Sequence, residues 1–345
     1  MKRLKALVLA AVCLIPFTAV SSAQQAPAGS SASPTGSPIV IKFSHVVAAD
    51  TPKGKAAERF KQLAGDYTGG RVRVEVYPNS QLYKDKEEVE ALQLGAVQML
   101  APTSSKFGPL GVPEFEVFDL PFMFPSRDAL HRVTEGPIGA EILKRLEPHG
   151  IIGLAYWDNG FKNISANKPL LKPEDVRGLK MRIQSSRVLH AEMRALKANP
   201  QVTAMAEVYQ ALQTGVVDGT ENVWSNMYTL KFHEVQRHAT LTNHGYIGYA
   251  VIVNKPFWDG LPPDIRTRLE QAMRETTVFA NRIAQQENDN ALAAIRASGL
   301  TEVHDLTAAE RAEWRKVLEP VQTEMETRVG KDLVSAIRRE TDANP

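Results

Sequence analysis

The sequence predicts an α/β protein of two lobes, each built as a β-sheet flanked by helices. The first observation is the alternation of strand-like and helix-like segments from Ile39 onward, which is typical of a sheet with helices on both faces. The second is an internal repeat, in which residues 91–97 (ALQLGAV) recur as residues 211–217 (ALQTGVV). In both copies the pattern predicts a helix that ends at a glycine, followed by a strand. The repeat therefore indicates two lobes of similar construction, although a coincidence in a common turn is the alternative.

The first lobe has clear local signals for each element. β-Branched runs and alternating apolar residues predict strands, and Pro52 and the pair Gly69–Gly70 bracket a helix. In order, we predict a strand over 39–43, a helix from 52 through 64, a strand over 71–76, a helix over 85–94 and a short strand over 96–100.

Two strand-like segments, 151–157 and 246–253, are suited to cross between the lobes. After Pro262–Pro263, apolar residues at helical spacing continue to about residue 297. A helix of that length would extend ~50 Å and would brace both lobes. These features place residues 39–159 and about 249–287 in lobe I, and residues 160–248 and about 288–345 in lobe II.

The N-terminus predicts export. Three basic residues within the first five precede an apolar run over 6–20, and small residues over 21–23 offer a cleavage site. This is the layout of a secretory signal peptide, and the run is too short to span a bilayer as a retained anchor, the alternative. We therefore predict a signal peptide over 1–23, cleaved near Ala23, and a flexible linker rich in Ala, Pro, Ser and Gly over 24–38.

Composition narrows the function classes. Cys13 is the only cysteine and lies in the predicted signal peptide, so the mature chain has neither a disulfide nor a thiol for chemistry. Basic and acidic residues nearly balance, 41 against 39, and three of the basic ones belong to the signal. This balance argues against a nucleic-acid partner, which requires a basic surface.

Arg182 is the strongest candidate for binding. Leu179, Met181 and Ile183 share one face of a predicted strand, which leaves Arg182 on the other face near the strand's end. Ligands of open α/β sheets bind beyond the carboxyl ends of strands, and Ser186 is suited to cap a helix there. A guanidinium fork matches a carboxylate, although an ordinary solvated arginine is the alternative.

Motifs of common enzyme classes are missing from the sequence. The sequence has no G-x-S-x-G elbow, no H-E-x-x-H pair and no phosphate-binding loop, and its histidines are scattered. We therefore expect a binding protein, not an enzyme, with no cofactor and no metal site.

Other predicted strand ends supply polar or cationic binding candidates. These are His45, Thr103, Lys106, Lys162 in the predicted turn over 157–162, Asn222 in the predicted loop over 218–222, and Trp224 just after it.

Several blocks resemble one family. They are 41–46 (IKFSHV), 51–54 (TPKG), 118–122 (FDLPF), 178–182 (GLKMR), 207–222 (EVYQALQTGVVDGTEN), 234–236 (EVQ) and 242–244 (TNH). Together they resemble the substrate-binding proteins of tripartite ATP-independent periplasmic (TRAP) transporters, in order from about Ile39 to beyond Trp258. The surroundings of His45, Lys53 and residues 157–160 are most similar to the C4-dicarboxylate-binding (DctP) branch.

The resemblance implies a periplasmic-binding-protein clamshell that closes on its ligand, with a long helix crossing both lobes. It implies that Arg182 forms the main salt bridge to the substrate carboxylate and that Asn222 hydrogen-bonds the ligand. Lys162, Thr103 and Met205 stand where the sialic-acid branch carries an arginine, a glutamate and a phenylalanine, which argues against sialic acid. His45, Lys53 and Lys106 are then candidates for a far carboxylate, with solvated lysines as the alternative for Lys53 and Lys106.

The expected function is that of a monomeric periplasmic receptor. It would capture a C4-dicarboxylate such as succinate, malate or fumarate and deliver it to the small and large TRAP membrane subunits without using ATP. A 2-oxo acid, a monocarboxylate or an aromatic acid is the alternative ligand, and a periplasmic enzyme on the same scaffold is the remote alternative.

Overall fold

The computed structural model describes residues 37–342 of the 345-residue chain. The predicted signal peptide and nearly all of the predicted linker lie outside the described residues. Within the described part, no helix combines the length and the apolar character that crossing a bilayer requires.

The strands form one mixed sheet. Within residues 37–342 they follow the spatial order β2-β1-β3-β8-β4-β7-β5-β6, and β9 pairs with β8. Their bounds are β1 Ile39–Ser44, β2 Val72–Tyr77, β3 Met99–Leu100, β4 Ile151–Ala166, β5 Lys180–Ile183, β6 Asn199–Val202, β7 Gly219–Asn222, β8 His238–Asn254 and β9 Glu302–Asp305.

Two long antiparallel strands, β4 and β8, run through both halves of the sheet. In what we call the first half, β8 pairs with β3, and β1 and β2 continue outward in parallel. In the second half, β4 pairs with β7, and β5 and β6 continue in parallel. The predicted α/β, two-lobe fold class is confirmed, with the sheets of the two halves continuous through the crossing strands.

Helices cover the sheet. They are α1 Pro52–Thr68, α2 Glu88–Gln93, α3 Phe107–Leu110, α4 Arg127–Thr134, α5 Pro137–Lys144, α6 Arg187–Ala195, α7 Val208–Gln213, α8 Trp224–Thr229, α9 Lys255–Asp259, α10 Pro263–Ser298, α11 Ala308–Leu318, α12 Pro320–Val329 and α13 Lys331–Asp342.

The predicted long helix is confirmed as α10. It has 36 residues, about 54 Å at 1.5 Å per residue, and Gly299 ends it in the left-handed conformation. It packs against α1 of the first half, α8 of the second half and the crossing strand β4. A single rigid element therefore spans both halves of the molecule.

Several local predictions hold because short-range chemistry specifies them. The Thr51 hydroxyl accepts a hydrogen bond from the Gly54 N–H, and Gly69 caps the other end of α1. Ser186 caps α6 by accepting from the Leu189 N–H at 3.4 Å. The repeated segments match as well, since Gly95 and Gly215 follow α2 and α7 with φ of 75° and 71°, a region that glycine adopts without strain.

Two local predictions are wrong. Residues 157–162, expected as a turn, continue β4, where register shifts between Asp158 and Gly160 absorb the irregular sequence. Residues 219–222, expected as a loop, form β7, because pairing with β4 and β5 overrides their polar composition. Glu221 and Asn222 therefore lie on a central strand.

The apolar core is divided between the two halves. Phe43, Phe60 and Trp157 pack with α10 in the first half, and Met181 packs with Trp314 in the second. Helices α12 and α13 share a core with α4, and α13 contacts α4 and α5, although the predicted division assigned residues 288–345 to the second lobe. The lobe boundaries themselves stay a prediction.

Candidate functional site

Arg182 is buried on β5 with its guanidinium directed at a backbone carbonyl. Its Nε and Nη2 atoms donate to the Thr203 carbonyl oxygen at 3.0 and 2.8 Å. Burial lowers the pKa of Arg182, and the negative charges of Asp85 and Glu221 oppose that shift. An arginine stays protonated in a protein, so the group is a buried, fixed cation.

Lys53, on α1, is a second buried cation. Its Nζ donates to the Ala101 carbonyl at 2.9 Å and lies 3.9 Å from the centroid of the Tyr249 ring. Burial lowers the pKa of Lys53 to about 8, a shift that Glu88 and Asp85 oppose and Lys106 reinforces. The ammonium therefore remains the main form at neutral pH.

The two cations share an unusual property. Three Lys or Arg residues are buried among residues 37–342, namely Lys53, Lys162 and Arg182. Lys162 is paired with carboxylates, whereas no carboxylate oxygen in the described part lies within 4.0 Å of the charged nitrogens of Lys53 or Arg182. Buried charges are normally paired, so these two are available to an acidic ligand.

A small cavity lies between the two halves of the sheet, beside Lys53. The remaining lining side chains are Val46, Val47, Asp85, Glu88, Thr103, Lys106, Gln184, Met205, Asn226, Ile247 and Tyr249. Four of the residues predicted from the sequence therefore meet here: Lys53, Thr103, Lys106 and Met205. Two wider grooves flank α10, but the cationic side chains that line them are not buried.

The polar lining of the cavity is ordered by its own contacts. Thr103 donates from Oγ1 to the Gln184 Oε1 atom at 2.6 Å. Lys106 pairs with Asp85 at 2.8 Å, and Asp85 also accepts from the Met205 N–H at 3.3 Å. Burial alone would raise the pKa of Asp85, but the Lys106 ammonium outweighs it and the pKa lies below its ordinary value. Lys106 thus has a protein partner.

Glu88 is a buried acid in the cavity wall. Burial raises its pKa to about 7, while the charges of Lys53 and Lys106 act in the opposite direction. Its Oε1 atom has no hydrogen-bond partner among the described residues. Glu88 is therefore close to half ionised at neutral pH, and a bound anion would favour its neutral form.

Asn222, at the end of β7, presents an unsatisfied amide. Its Oδ1 accepts from the Val223 N–H and from the Asn226 amide, both at 3.0 Å. Its Nδ2 has no acceptor within the described part of the chain. Asn226 lines the cavity, so Asn222 borders it through this contact, with a free donor that an acid could use.

Lys162 belongs to a separate buried network. Its Nζ lies 2.8 Å from Glu221 and 3.4 Å from Glu192, and His244 Nε2 lies 3.1 Å from both carboxylates. Burial opposes protonation of Lys162, but the two glutamates outweigh it and raise its pKa. The predicted direct contact of Lys162 with substrate stays a prediction, and these distances favour a role in holding Glu221 beside Asn222.

His45 and Trp224 are buried but do not line the cavity. Burial and the nearby Lys53 charge lower the pKa of His45 to about 3, and the Val47 backbone opposes this shift. Neither ring nitrogen of His45 has a hydrogen bond of normal geometry among the described residues. Trp224 packs in an apolar cluster with Val208 and Phe232. The predicted contacts of His45 and Trp224 with substrate stay predictions.

Among the polar lining residues, sequence reasoning missed Asp85, Glu88, Gln184, Asn226 and Tyr249. Gln184 follows a strand directly, a signal that was present in the pattern. Tyr249 lies inside an apolar strand and the two acids lie in and just before a short helix. Only the packing of β8 and α2 brings these three to the cavity.

Comparisons with known proteins show what this chain is similar to. A family model described as DctP, bacterial extracellular solute-binding protein, family 7, matches residues 43–328. The chain is 63% identical over 328 residues to the C4-dicarboxylate-binding periplasmic protein DctP of Rhodobacter capsulatus, covering 95% of this chain and 97% of that protein.

Solved structures give the same picture. A TRAP periplasmic solute-binding protein from Shewanella oneidensis with bound succinate is 42% identical, with a TM-score of 0.86, covering 88% of this chain and 100% of that one. A TRAP periplasmic solute-binding protein from Pseudomonas aeruginosa with bound L-malate is 44% identical, with a TM-score of 0.81, covering 83% and 100%.

Proposed function

The chain belongs to the DctP family of bacterial extracellular solute-binding proteins, and from this premise we propose that it is the C4-dicarboxylate receptor of a TRAP importer. Its relatives support the ligand class, since structures of similar chains hold succinate and L-malate. Family membership supports a receptor without catalytic activity, a role that needs no cofactor.

The observation that carries the proposal is the pair of buried cations without partner carboxylates, Arg182 and Lys53. Asp85 acts electrostatically on both, so the two cations share one neighbourhood although they lie on β5 and α1. A C4-dicarboxylate has two negative ends on a short chain. One end would pair with each cation and would offset the cost of burying that charge.

We assign the contacts as follows. Arg182 grips one carboxylate through its fork, and the free Asn222 amide donates to the same end. Lys53 meets the far carboxylate, with Thr103 and Gln184 as the polar side of the cavity and Met205 as part of its apolar side. Lys162 and Lys106, already paired with carboxylates, act through their partners.

The same assignment explains how binding is signalled. Arg182 lies in the second half of the molecule and Lys53 in the first, so a dicarboxylate touching both stabilises the closed arrangement by differential affinity. The closed receptor, a monomer, would then be recognised by the small and large TRAP membrane subunits. The alternative ligand, an acid with one carboxylate, would leave Lys53 unpaired.

Export completes the proposal. We propose that the signal peptide over 1–23 is removed near Ala23 and that residues 24–38 link the export signal to β1. The mass of the protein recovered from the periplasm would then correspond to a chain that starts near Gln24. A recovered mass of the full chain would contradict the cleavage without touching the ligand assignment.

A thermal-shift screen tests the function. Succinate, malate, fumarate, 2-oxoglutarate, pyruvate, benzoate and two neutral sugars would each be added to the purified protein at one shared concentration. At a shared concentration the tightest ligand is present at the largest multiple of its dissociation constant, and a multiple of 100 adds about 2.7 kcal/mol of stability. The C4-dicarboxylates should therefore raise the melting temperature most. Equal shifts with pyruvate would favour the monocarboxylate alternative, shifts with sugars alone would overturn the proposal, and turnover of any acid would favour the enzyme.

A further inference from the structure

We propose that His238, Glu302 and His304 form a binding site for a divalent transition-metal ion such as Zn²⁺, apart from the acid site. The three residues lie where β8 and β9 run in parallel, with His238 opposite Glu302 and Thr240 opposite His304. Residues two apart on a strand share a face. Glu302 and His304 therefore point the same way as their neighbour His238.

The distances fit a metal site. His238 Nδ1 lies 3.0 Å from His304 Nε2 and 3.5 Å from Glu302 Oε2, and one ligand atom from each residue falls within 4.8 Å of the others. Tetrahedral zinc with bonds of about 2.0–2.2 Å separates neighbouring ligand atoms by roughly 3.3–3.5 Å. Small side-chain rotations would thus bring the two imidazoles and the carboxylate onto one ion.

The donor set selects the kind of ion. Two imidazoles and one carboxylate suit zinc and its neighbours Ni²⁺ and Cu²⁺ and do not suit Ca²⁺ or Mg²⁺, which prefer oxygen ligands. Three protein ligands leave a coordination position for water. The histidine side chains are 19% and 15% exposed and Glu302 is 67% exposed, so an ion can enter from solvent.

A second group of close ligands differs in one respect. Glu192, Glu221 and His244 are also close enough to hold a metal, but the Lys162 ammonium lies against both carboxylates at 3.4 and 2.8 Å. A cation is therefore already supplied there by the protein. At His238, Glu302 and His304 no lysine or arginine within the described residues forms an ion pair with Glu302.

The site would act on stability and not on acid recognition. β9 follows the long helix α10, and a metal bridging it to β8 would fix the chain after that helix. His238 and Tyr249, which lines the acid cavity, lie eleven positions apart on β8, about 35 Å for an extended strand. Zinc and succinate should therefore bind independently.

The test uses untagged, chelator-treated full-length mature protein and zinc chloride alone in calorimetry. Wild type should bind one equivalent of Zn²⁺ and melt at a higher temperature with it. His238→Ala, His304→Ala and Glu302→Gln should each weaken zinc binding by at least about tenfold. His149→Ala is the matched control, since that partly exposed histidine has no such neighbours in the described structure.

The outcomes are distinct. No zinc binding by wild type, or binding unchanged in all three variants, would overturn the metal site. Glu302 is exposed, so Glu302→Gln keeps the test valid even where a histidine variant fails to fold. Unchanged succinate affinity in the Glu302→Gln variant would confirm that the two sites are separate.

Discussion

At the scale of single residues, Arg182 is the side chain to which our proposal assigns the ligand carboxylate. Its guanidinium is removed from water, and its only hydrogen-bond acceptor among the described residues is the Thr203 carbonyl. A neutral carbonyl compensates a buried charge less well than a carboxylate does. We therefore expect a substrate carboxylate to be a better partner for this cation than the Thr203 carbonyl is.

Replacing Arg182 with alanine should weaken succinate binding about tenfold to a hundredfold, from roughly 1.5–3 kcal/mol for a hydrogen bond to a charged group. Arg182→Lys should also bind poorly, because a point charge replaces the fork. Calorimetry measures both. Arg73→Ala, on an exposed part of β2, is the control, and wild-type affinity in Arg182→Ala would refute the assignment.

Lys53 predicts a pH dependence of binding. Its pKa of about 8 in the ligand-free protein should rise when an anion binds, since the anion favours the charged form. Below pH 8 the Lys53 ammonium is present in both states, so Lys53 adds no pH dependence there. Above pH 8 binding must take up a proton, so succinate affinity should fall by up to about tenfold per pH unit.

Calorimetry in buffers of different ionisation enthalpy would detect that proton. Between pH 8 and 9 wild type should take up protons on binding succinate, and a Lys53→Met variant should bind weakly without this uptake. Proton uptake that persists in Lys53→Met would assign the effect to another group, such as Glu88.

At the scale of elements, α10 holds β4 at its register shift. Asn281 Oδ1 accepts from the Asp158 N–H at 2.9 Å, and Asn288 Nδ2 donates to the Asn159 carbonyl at 2.5 Å. Asn288 Oδ1 also accepts from the Ser225 N–H in α8 at 3.0 Å. One buried amide thus ties the long helix to the crossing strand and to the second half.

Asn288→Ala should therefore destabilise the protein by about 1–3 kcal/mol, because buried backbone groups of Asn159 and Ser225 lose their partner. Urea unfolding measures the change. Asn290→Ala, an exposed position on the same helix, should stay within about 0.5 kcal/mol of wild type. Equal effects of the two variants would show that the clamp has no special role.

At the scale of the whole molecule, the two halves are joined by β4, β8 and α10, with the acid cavity between them. A ligand that pairs with both Arg182 and Lys53 favours the arrangement in which these two cations are closest. On our proposal, the free energy for closure comes from the pairing of these two buried charges with one small acid.

Small-angle X-ray scattering should show this change. Saturating succinate should reduce the radius of gyration of wild type, and the same concentration should leave Arg182→Ala unchanged because binding is too weak to shift the equilibrium. Sucrose serves as a control for solvent effects. An unchanged radius in wild type, with calorimetry confirming saturation, would contradict closure by the ligand.

The sequence by itself determined the features that depend on neighbouring residues. The cap at Thr51, the glycines after α2 and α7, the period of α10 and the position of Arg182 near a strand end all follow from short-range chemistry. The family motifs added the class of ligand, and the single cysteine of the sequence excluded a disulfide within the chain.

Tertiary structure decided which charges are free. Lys53, Lys106 and Lys162 were all binding candidates in the sequence. Lys106 and Lys162 are paired with acids from other segments, and of these three only Lys53 is not. The meeting of His238 with His304 was equally hidden, since 66 positions separate them. Pairing of this kind depends on which strands and helices become neighbours, and the local pattern of residues does not contain that information.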